Sequence, residues 1–392
     1  MNFVTRTRIA LISFLITLSS CASIPAPSNP NIGERLKIVE VQQLVQSKTD
    51  SINLIETNLS GLHLIEMDLS DAKMASAYLY RTNLTGSNLQ GADLRGADLS
   101  YATLHNINLR NANLEGAILN HTSFKNADLS GANLSNSTLI DSTFERSVLK
   151  NSNFTNGNMQ NVLINESLFE GTHMQSTDLT GARINGADFK YATIHNATLA
   201  KIEFINSKFQ GASFSNSNLS RSDFRACTLN DADMSFTMAT EVNFSGSDLQ
   251  GAIFRHSDLQ GATFIQANMA FSDLSNAILN HALMRESNLN NARLIKTQLQ
   301  ATDLDRATFV NAKINQSNMK EAILTNTNFF KAEIISTDLS KADLTNANLQ
   351  EANIDKSIFR KADLDNSNFI LIRNIQSAVG MKEARNVDNA KF

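Results

Sequence analysis

Seven histidines, two cysteines and a recurring set of aspartates are the side chains in this 392-residue chain that could do chemistry. Histidines could ligate a metal, provided several ligands converge to within about 2.0–2.3 Å of one ion. Paired carboxylates such as Asp93, Asp98, Asp188 and Asp258 could divide acid and base roles. A cysteine could act as a nucleophile where its thiolate is favoured. Spacing decides among these uses. His63, His105, His121, His173, His195, His256 and His281 are strung along the chain without any short ligand motif. No Gly-rich phosphate loop followed by Lys is present.

The backbone that must position these residues repeats every five. In LQGADLRGADLSYATL (89–104) a leucine recurs at each fifth position, whereas helices and strands repeat their faces at 3.6 and 2.0 residues. From Leu54 to Phe369, 63 of the 64 positions whose numbers end in 4 or 9 hold Leu, Phe, Ile or Met, Ala239 being the exception. Two residues before each of these (i−2), 57 of the 64 are Ala, Ser, Thr, Gly or Cys, and the residue between (i−1) is most often Asn or Asp. A large and a small residue facing inward from each five-residue side describe a narrow tube. Thirteen of the sixteen glycines fall at i+2, where a corner would require positive φ. No proline occurs after Pro30, which suits a coil that needs its N–H groups for its neighbours.

The run GADLRGADLSYATLH (91–105) closely matches A(D/N)LXX, and the chain from roughly 50 to 370 resembles the pentapeptide-repeat family. That resemblance implies an all-β fold, a right-handed quadrilateral parallel β-helix of about sixteen coils with residue n beneath n+20. A spacing of about 4.8 Å per coil makes it roughly 75 Å long. The period of twenty has independent support: charged residues twenty apart within the repeats form fifteen pairs of opposite sign and five of like sign. Among the former are Lys125 with Glu145, Arg146 with Glu166, Lys150 with Glu170, Arg285 with Asp305 and Glu286 with Arg306. The same arithmetic places Leu94 and Leu99 in the core and stacks Phe204, Phe224, Phe244 and Phe264 in one internal column.

In this frame the candidate chemistry dissolves into structure. His173 and His195, or His105 and His121, come nearest to one another but stay offset along the coil surface, and no metal, cofactor or catalytic site is expected. Cys227 sits at i−2 and is expected to be an inert core thiol. The aspartates recur at i−1 interchangeably with Asn, which points to local backbone hydrogen bonding. At the one defect, SFTMATEVNF (235–244), Ala239 is expected to leave a void partly filled by Val242 and by Phe236 or Met238.

The flanks read differently. Arg6 and Arg8, the apolar run IALISFLITL (9–18) and Ser19-Ser20-Cys21 form a leader too short to span a bilayer. Its ending resembles a lipoprotein signal (1–20), which implies that Cys21 is lipid-modified and that the chain is anchored in the cell envelope, facing the periplasm from the outer membrane. Residues 21–33, which hold all three prolines, read as a linker. Residues 34–50 suggest a capping helix using Leu36, Val39 or Val41, and Leu44 or Val45. Past Phe369, in the segment 371–392, a turn and short helix around Gln376–Arg385 are expected either to cap the coil or to pair with a second copy as a homodimer.

Charge bounds the function. The chain carries 34 basic and 38 acidic residues, and loss of Arg6 and Arg8 with the leader would bring the net charge near −6. Over the expected length this is far below duplex DNA, with one charge per about 1.7 Å, so DNA mimicry of the kind that protects gyrase in this family is disfavoured, as is nucleic acid as a partner. The expectation is a non-catalytic, membrane-tethered scaffold that binds a protein or another envelope component; the alternative is a secreted or surface-exposed effector of a host-associated bacterium. All faces look similarly polar in the sequence.

Overall fold

The computed structural model describes residues 33–47 and 52–392. The expected signal peptide, Cys21 and the linker up to Ile32 lie outside the described residues. From Ile52 onward the chain is a four-sided parallel β-solenoid. Asn53 pairs with Lys73, Lys73 with Asp93 and Asp93 with Asn113, always in parallel and always twenty residues on. Each five-residue side contributes one such column, so four sides close one coil.

A side whose i−1 residue is Asn or Asp can account for its five N–H groups. In the first coil Leu54 N–H donates to the Lys73 carbonyl at 2.7 Å and Glu56 N–H to Ala75 at 2.9 Å, both in the next coil. Lys73 N–H reaches back to Ile52 at 2.8 Å, and Thr57 N–H closes the corner onto Leu54 at 3.3 Å. The fifth donor, at i+1, is captured by the i−1 side chain: Ser60 N–H donates to Asn58 Oδ1 at 3.1 Å, and Arg110 N–H to Asn108 Oδ1 at 3.1 Å. Asn and Asp dominate i−1 because their carbonyl or carboxylate oxygen reaches the N–H two residues on. Where i−1 is Thr138, Gln298 or Thr308, an Asn one coil below supplies the acceptor instead, as in Ile140 N–H to Asn120 Oδ1 at 2.9 Å.

Five consecutive sides in one column become true strands: β1 (Ser123–Lys125), β2 (Thr143–Glu145), β3 (Leu163–Asn165), β4 (Arg183–Asn185) and β5 (Glu203–Ile205), paired in that order. Two conditions coincide there. The i−1 residue is neither Asn nor Asp, so no side-chain oxygen folds the chain back, and i is Phe or Ile, residues that favour extended backbone. The conditions permit strands without forcing them, since Thr193–Ile194 and Thr263–Phe264 meet both and keep the tight corner.

The corner residue at i+2 adopts left-handed φ on almost every side. Glycine is one solution, as at Gly91 with φ 69°, but Asn106, Asn136, Tyr101, His121 and Phe236 hold the same conformation. Inside, the i and i−2 residues form one continuous core in which Leu94, Leu99 and Cys227 are buried. The expected aromatic column is present: Phe204, Phe224, Phe244 and Phe264 stack with successive centroids 4.7, 5.1 and 5.2 Å apart. A second column, Phe169, Phe189 and Phe209, runs alongside and meets the first edge-on, with Phe204 and Phe209 at 88°.

At the N-terminal side α1 (Ile38–Ser47) lies over the first coil, with Val41 fully buried and Leu36, Ile38 and Val45 packed against the core, while Val39 and Leu44 face outward. Arg35 bridges to Asn58, and Leu36 N–H donates to the Asn58 carbonyl at 2.9 Å. At the other side the expected helix is absent. Residues 372–392 form a further coil with sides of six. Arg373, Val379, Arg385 and Lys391 pair with Asn353, Ile358, Asp363 and Asn368, and Asn374, Gly380 and Asn386 turn its corners with positive φ. Three 3₁₀ turns, Ile375–Ser377, Met381–Glu383 and Val387–Asn389, take up the extra residue per side. The Ala378, Ala384, Ala390 and Ile375, Met381, Val387 series, spaced by six, line its inner side. Interleaved, the two series put an apolar residue at every third position, close enough to the 3.6-residue helical turn over a short stretch for the segment to read as helical in the sequence.

The defect coil also departs from expectation. Ala239 and Val242 are both fully buried, but Phe236 and Met238 face solvent and fill nothing. Phe236 occupies a corner and stacks on His256 at 4.9 Å; Met238 occupies an outward i−1 position.

Candidate functional site

The side chains that could do chemistry are held apart by the frame. Asp93 Oδ1 accepts the Arg95 N–H at 3.2 Å and pairs with its guanidinium at 2.7 Å, and that hydrogen-bonded pairing holds the carboxyl below its ordinary range. Asp98, Asp188 and Asp258 accept the N–H of Ser100, Lys190 and Gln260 in the same way. These aspartates are backbone acceptors.

Histidines find local partners. His105 Nε2 lies 3.0 Å from Ser123 Oγ, and His173 Nδ1 lies 3.2 Å from Thr193 Oγ1. His121 stacks on Tyr101 at 4.5 Å and is 3.8 Å from Asp141. Among the described residues no group of three or more His, Cys, Asp or Glu is placed to hold a metal ion. The Cys227 thiol donates to the Phe204 carbonyl one coil below, and burial pushes its pKa up to about 12, the opposite of an activated nucleophile.

On the surface the coil period organises charge. Lys125 meets Glu145 at 3.2 Å, Lys150 meets Glu170 at 2.7 Å and Glu286 meets Arg306 at 3.7 Å, each pair twenty residues apart. Two expected pairs take other partners: Arg146 turns to Glu145 at 2.6 Å, and Arg285 to Asp303 at 2.5 Å. A guanidinium on a three-carbon stem reaches a diagonal neighbour as readily as a vertical one, so separations of 1, 2 and 18 also occur.

An aromatic chain around one corner has no counterpart in the sequence reading. Tyr78 stacks on Tyr80 at 5.9 Å, Tyr80 meets Tyr101 edge-on at 5.5 Å, and Arg81 lies over both Tyr80 and Tyr101 at 5.3 and 5.6 Å. It was legible only by adding multiples of twenty to a corner position.

The outer faces are not alike. On the side between the corner columns of Glu286 and Asn291, six successive rows carry Asn268 and Ala270, Asn288 and Asn290, Thr308 and Val310, Asn328 and Phe330, Asn348 and Gln350, and Asn368 and Ile370. None is charged. The side facing away from it holds Lys320, Asp338 and Arg360 over the same coils, and its neighbours carry Asp303, Asp305 and Asp343 or Arg293, Lys313 and Glu333. The expectation that all faces are similarly polar is therefore corrected.

Family models agree with the five-residue frame. A family model described as pentapeptide repeats matches several overlapping stretches, among them 52–91, 77–116, 164–200 and 243–280, and a model described as a pentapeptide repeat region matches 97–174 and 282–359. Among solved structures, HetL, a pentapeptide repeat protein involved in heterocyst differentiation regulation from the cyanobacterium Nostoc, is 24% identical over 74% of this chain and 97% of its own, with a TM-score of 0.18. QnrB1, a plasmid-mediated fluoroquinolone resistance protein, is 20% identical over 47% of this chain and 85% of its own, with a TM-score of 0.31. A pentapeptide repeat protein from the thylakoid lumen of Arabidopsis thaliana is 26% identical over 26% of this chain and 69% of its own, with a TM-score of 0.24. The search of curated proteins returned no match.

Proposed function

The chain belongs to the pentapeptide-repeat family, and from that premise we propose that it is a non-catalytic scaffold of the bacterial cell envelope, tethered through a lipid on Cys21, that offers the outer faces of its solenoid to a binding partner. The observation that carries this proposal is how the frame uses its polar side chains. The aspartates at i−1 are engaged with backbone N–H groups, the buried thiol is inert, and what varies from coil to coil is the outward row of residues. A solenoid of this kind presents long, nearly flat surfaces and lacks an enclosed cleft, which suits recognition over turnover.

Tethering rests on the leader ending in Ser19-Ser20-Cys21 and on the proline-bearing segment that follows it. No helix among the described residues is long and apolar enough to cross a membrane; the attachment proposed is lipid on Cys21. Two or more acyl chains anchor stably where one binds only marginally. The test is metabolic labelling with a clickable palmitate analogue together with fractionation. Wild type should label and sediment with membranes, and Cys21→Ala should do neither while keeping its β spectrum. Recovery of the wild-type chain in the cytoplasm with its N-terminus intact would end the proposal.

A further inference from the structure

We infer that the uncharged face running from Asn268 to Ile370 is a binding surface for an uncharged, β-1,4-linked polysaccharide strand, such as the glycan chains of the cell wall. The inference deepens the envelope proposal and rests on it for the setting, though not for the chemistry.

The face is built from amides held in register. Asn288 Nδ2 donates to Asn268 Oδ1 at 2.9 Å, Thr308 Oγ1 to Asn288 Oδ1 at 3.3 Å, Asn348 Nδ2 to Asn328 Oδ1 at 3.1 Å and Asn368 Nδ2 to Asn348 Oδ1 at 3.0 Å. Asn288, Asn348 and Asn368 each spend one of their two amide N–H groups in the ladder, so the column has neutral donor capacity left for a ligand. Such groups match sugar hydroxyls and acetamides, which both donate and accept, and no fixed charge has to be desolvated when a neutral chain lies against them. The rows themselves carry no Lys or Arg to pair with an anionic polymer or to release the counterions of a nucleic acid, and Lys331 at the bordering corner is paired with Glu351.

Spacing is the second argument. The rows repeat at the inter-strand distance of about 4.8 Å, and an extended β-1,4-linked pyranose chain advances by close to one such spacing per sugar. The advance per sugar is slightly the longer of the two, so a strand lying along the axis would meet equivalent rows over a few consecutive residues, with alternate sugars presenting alternate edges to alternate coils. Apolar contact is available where a pyranose ring would rest: Phe330 and Ile370 lie in the outward i+1 column with Val310 between them and Asn290. Lys331 Nζ lies 4.8 Å from the centroid of the Phe330 ring.

Along the corner that borders the face runs a groove of about 510 Å³ lined by Asn311, Lys331, Glu351, Leu371 and Arg373. Lys331 and Glu351 pair there at 3.6 Å, and Arg373 leaves the lining with one net positive charge. Groove and face together give a sugar strand a floor and one wall, with donors on both.

The test is co-sedimentation of the purified full-length chain with wall sacculi and with chitin, an insoluble β-1,4-linked N-acetylglucosamine polymer. Asn328→Asp combined with Asn348→Asp places two charges on the face, at positions where Asp occurs in other coils. The matched control is Asn113→Asp with Asn133→Asp, which alters the equivalent ladder bond, 3.2 Å long, on another side. Wild type should pellet with both polymers. The 328/348 variant should bind at least tenfold more weakly with an unchanged β spectrum, Phe330→Ala should also weaken binding, and the 113/133 control should bind as wild type does. Failure of wild type to pellet with either polymer, or equal loss in both double variants, would overturn the inference. A wild-type dimer in velocity sedimentation that the 328/348 variant dissolves would overturn it too, because the face would then belong to a second copy. Binding to purified polymer does not depend on where the chain resides, so this outcome and the Cys21 fractionation fail or succeed separately.

Discussion

Phe204 and Phe224 lie one coil apart with ring centroids at 4.7 Å and planes 26° from parallel, and both are fully enclosed. The pair sits where the two parallel columns touch, since Phe209 meets Phe204 at 5.1 Å and Phe224 at 5.8 Å. Replacing Phe224 by Ala would open a cavity that stacked backbones above and below cannot collapse, at a cost of about 3–5 kcal/mol. Phe224→Leu keeps a large apolar group and should cost clearly less. Chemical denaturation of both variants checks the order, and a Phe224→Ala chain as stable as wild type would show that the neighbouring rings repack.

The Ala239 side should be the weak point of the interior. Its column neighbours are Leu219 and Leu259, and of the three side chains expected to fill the space only Val242 is turned inward, Phe236 and Met238 facing solvent. Ala239→Leu should stabilise by about 1–2 kcal/mol through added apolar burial. Amides of 235–244 should exchange faster than those of adjacent coils in the wild type and slow down in the variant. A loss of stability in Ala239→Leu would mean that Val242 already occupies the volume and that the added methyls overpack it.

Gly91 and Gly116 both turn corners with positive φ, at 69° and 66°, but their surroundings differ. A Cβ at Gly91 would stand 2.3 Å from Asp71 Oδ1 in the coil below, whereas one at Gly116 meets nothing within 4 Å. Gly116→Ala should therefore cost only the conformational term of about 1 kcal/mol, and Gly91→Ala should cost more unless the Asp71 side chain swings away. Gly91→Ala combined with Asp71→Ala separates the two effects: it should recover most of the difference, and thermal melts that place all three variants together would show that the contact is relieved freely.

Acid should loosen the solenoid in a defined window. Burial acts to raise the Asp273 carboxyl, but the Ser275 N–H and the guanidinium of Arg255, 2.7 Å away, outweigh it and hold the group below the ordinary carboxylate range. Lys125 and Lys150 lower Glu145 and Glu170 in the same direction through their ion pairs. A carboxyl whose folded-state pKa is depressed contributes stability above its unfolded pKa and loses it as pH falls through the folded value. Unfolding midpoints should thus be flat from pH 7 to about 5 and drop below about pH 4. The drop should be shallower in Asp273→Asn. A midpoint in that variant with the same acid slope as wild type would remove Asp273 from the account.

The fold was legible because its two inward positions are so strongly constrained: a frame kept from Leu54 to Phe369 with Ala239 as its only lapse admits no helix or ordinary sheet. The segment 372–392 was not, because the apolar residues Ile375, Ala378, Met381 and Ala384, three apart, approximate a helical stripe over two turns until the bridges of Val379 and Arg385 to the coil below are seen. Side-chain choice on the surface was legible only in part. A column predicts that Lys125 can reach Glu145, but whether Arg285 prefers Asp303 to Asp305 depends on rotamers that no periodicity encodes. The neutral face was present in the sequence as a list of residues twenty apart; grouping the i−1 and i+1 columns onto one plane required knowing which corners bound it.

The hydrogen bonds that join coils have a mechanical meaning. Leu94 N–H to the Asn113 carbonyl, at 2.7 Å, and Asp93 N–H to the Ala72 carbonyl, at 2.9 Å, run between coils along the solenoid axis. Tension applied between the ends would load them as a zipper, one coil at a time, instead of shearing many at once. Every coil that peels away surrenders about 4.8 Å of stacked height and releases twenty residues, roughly 70 Å of extended chain. A molecule anchored at one end and gripped along a face would therefore yield under load by lengthening stepwise, with the Ala239 coil as the place where such yielding starts.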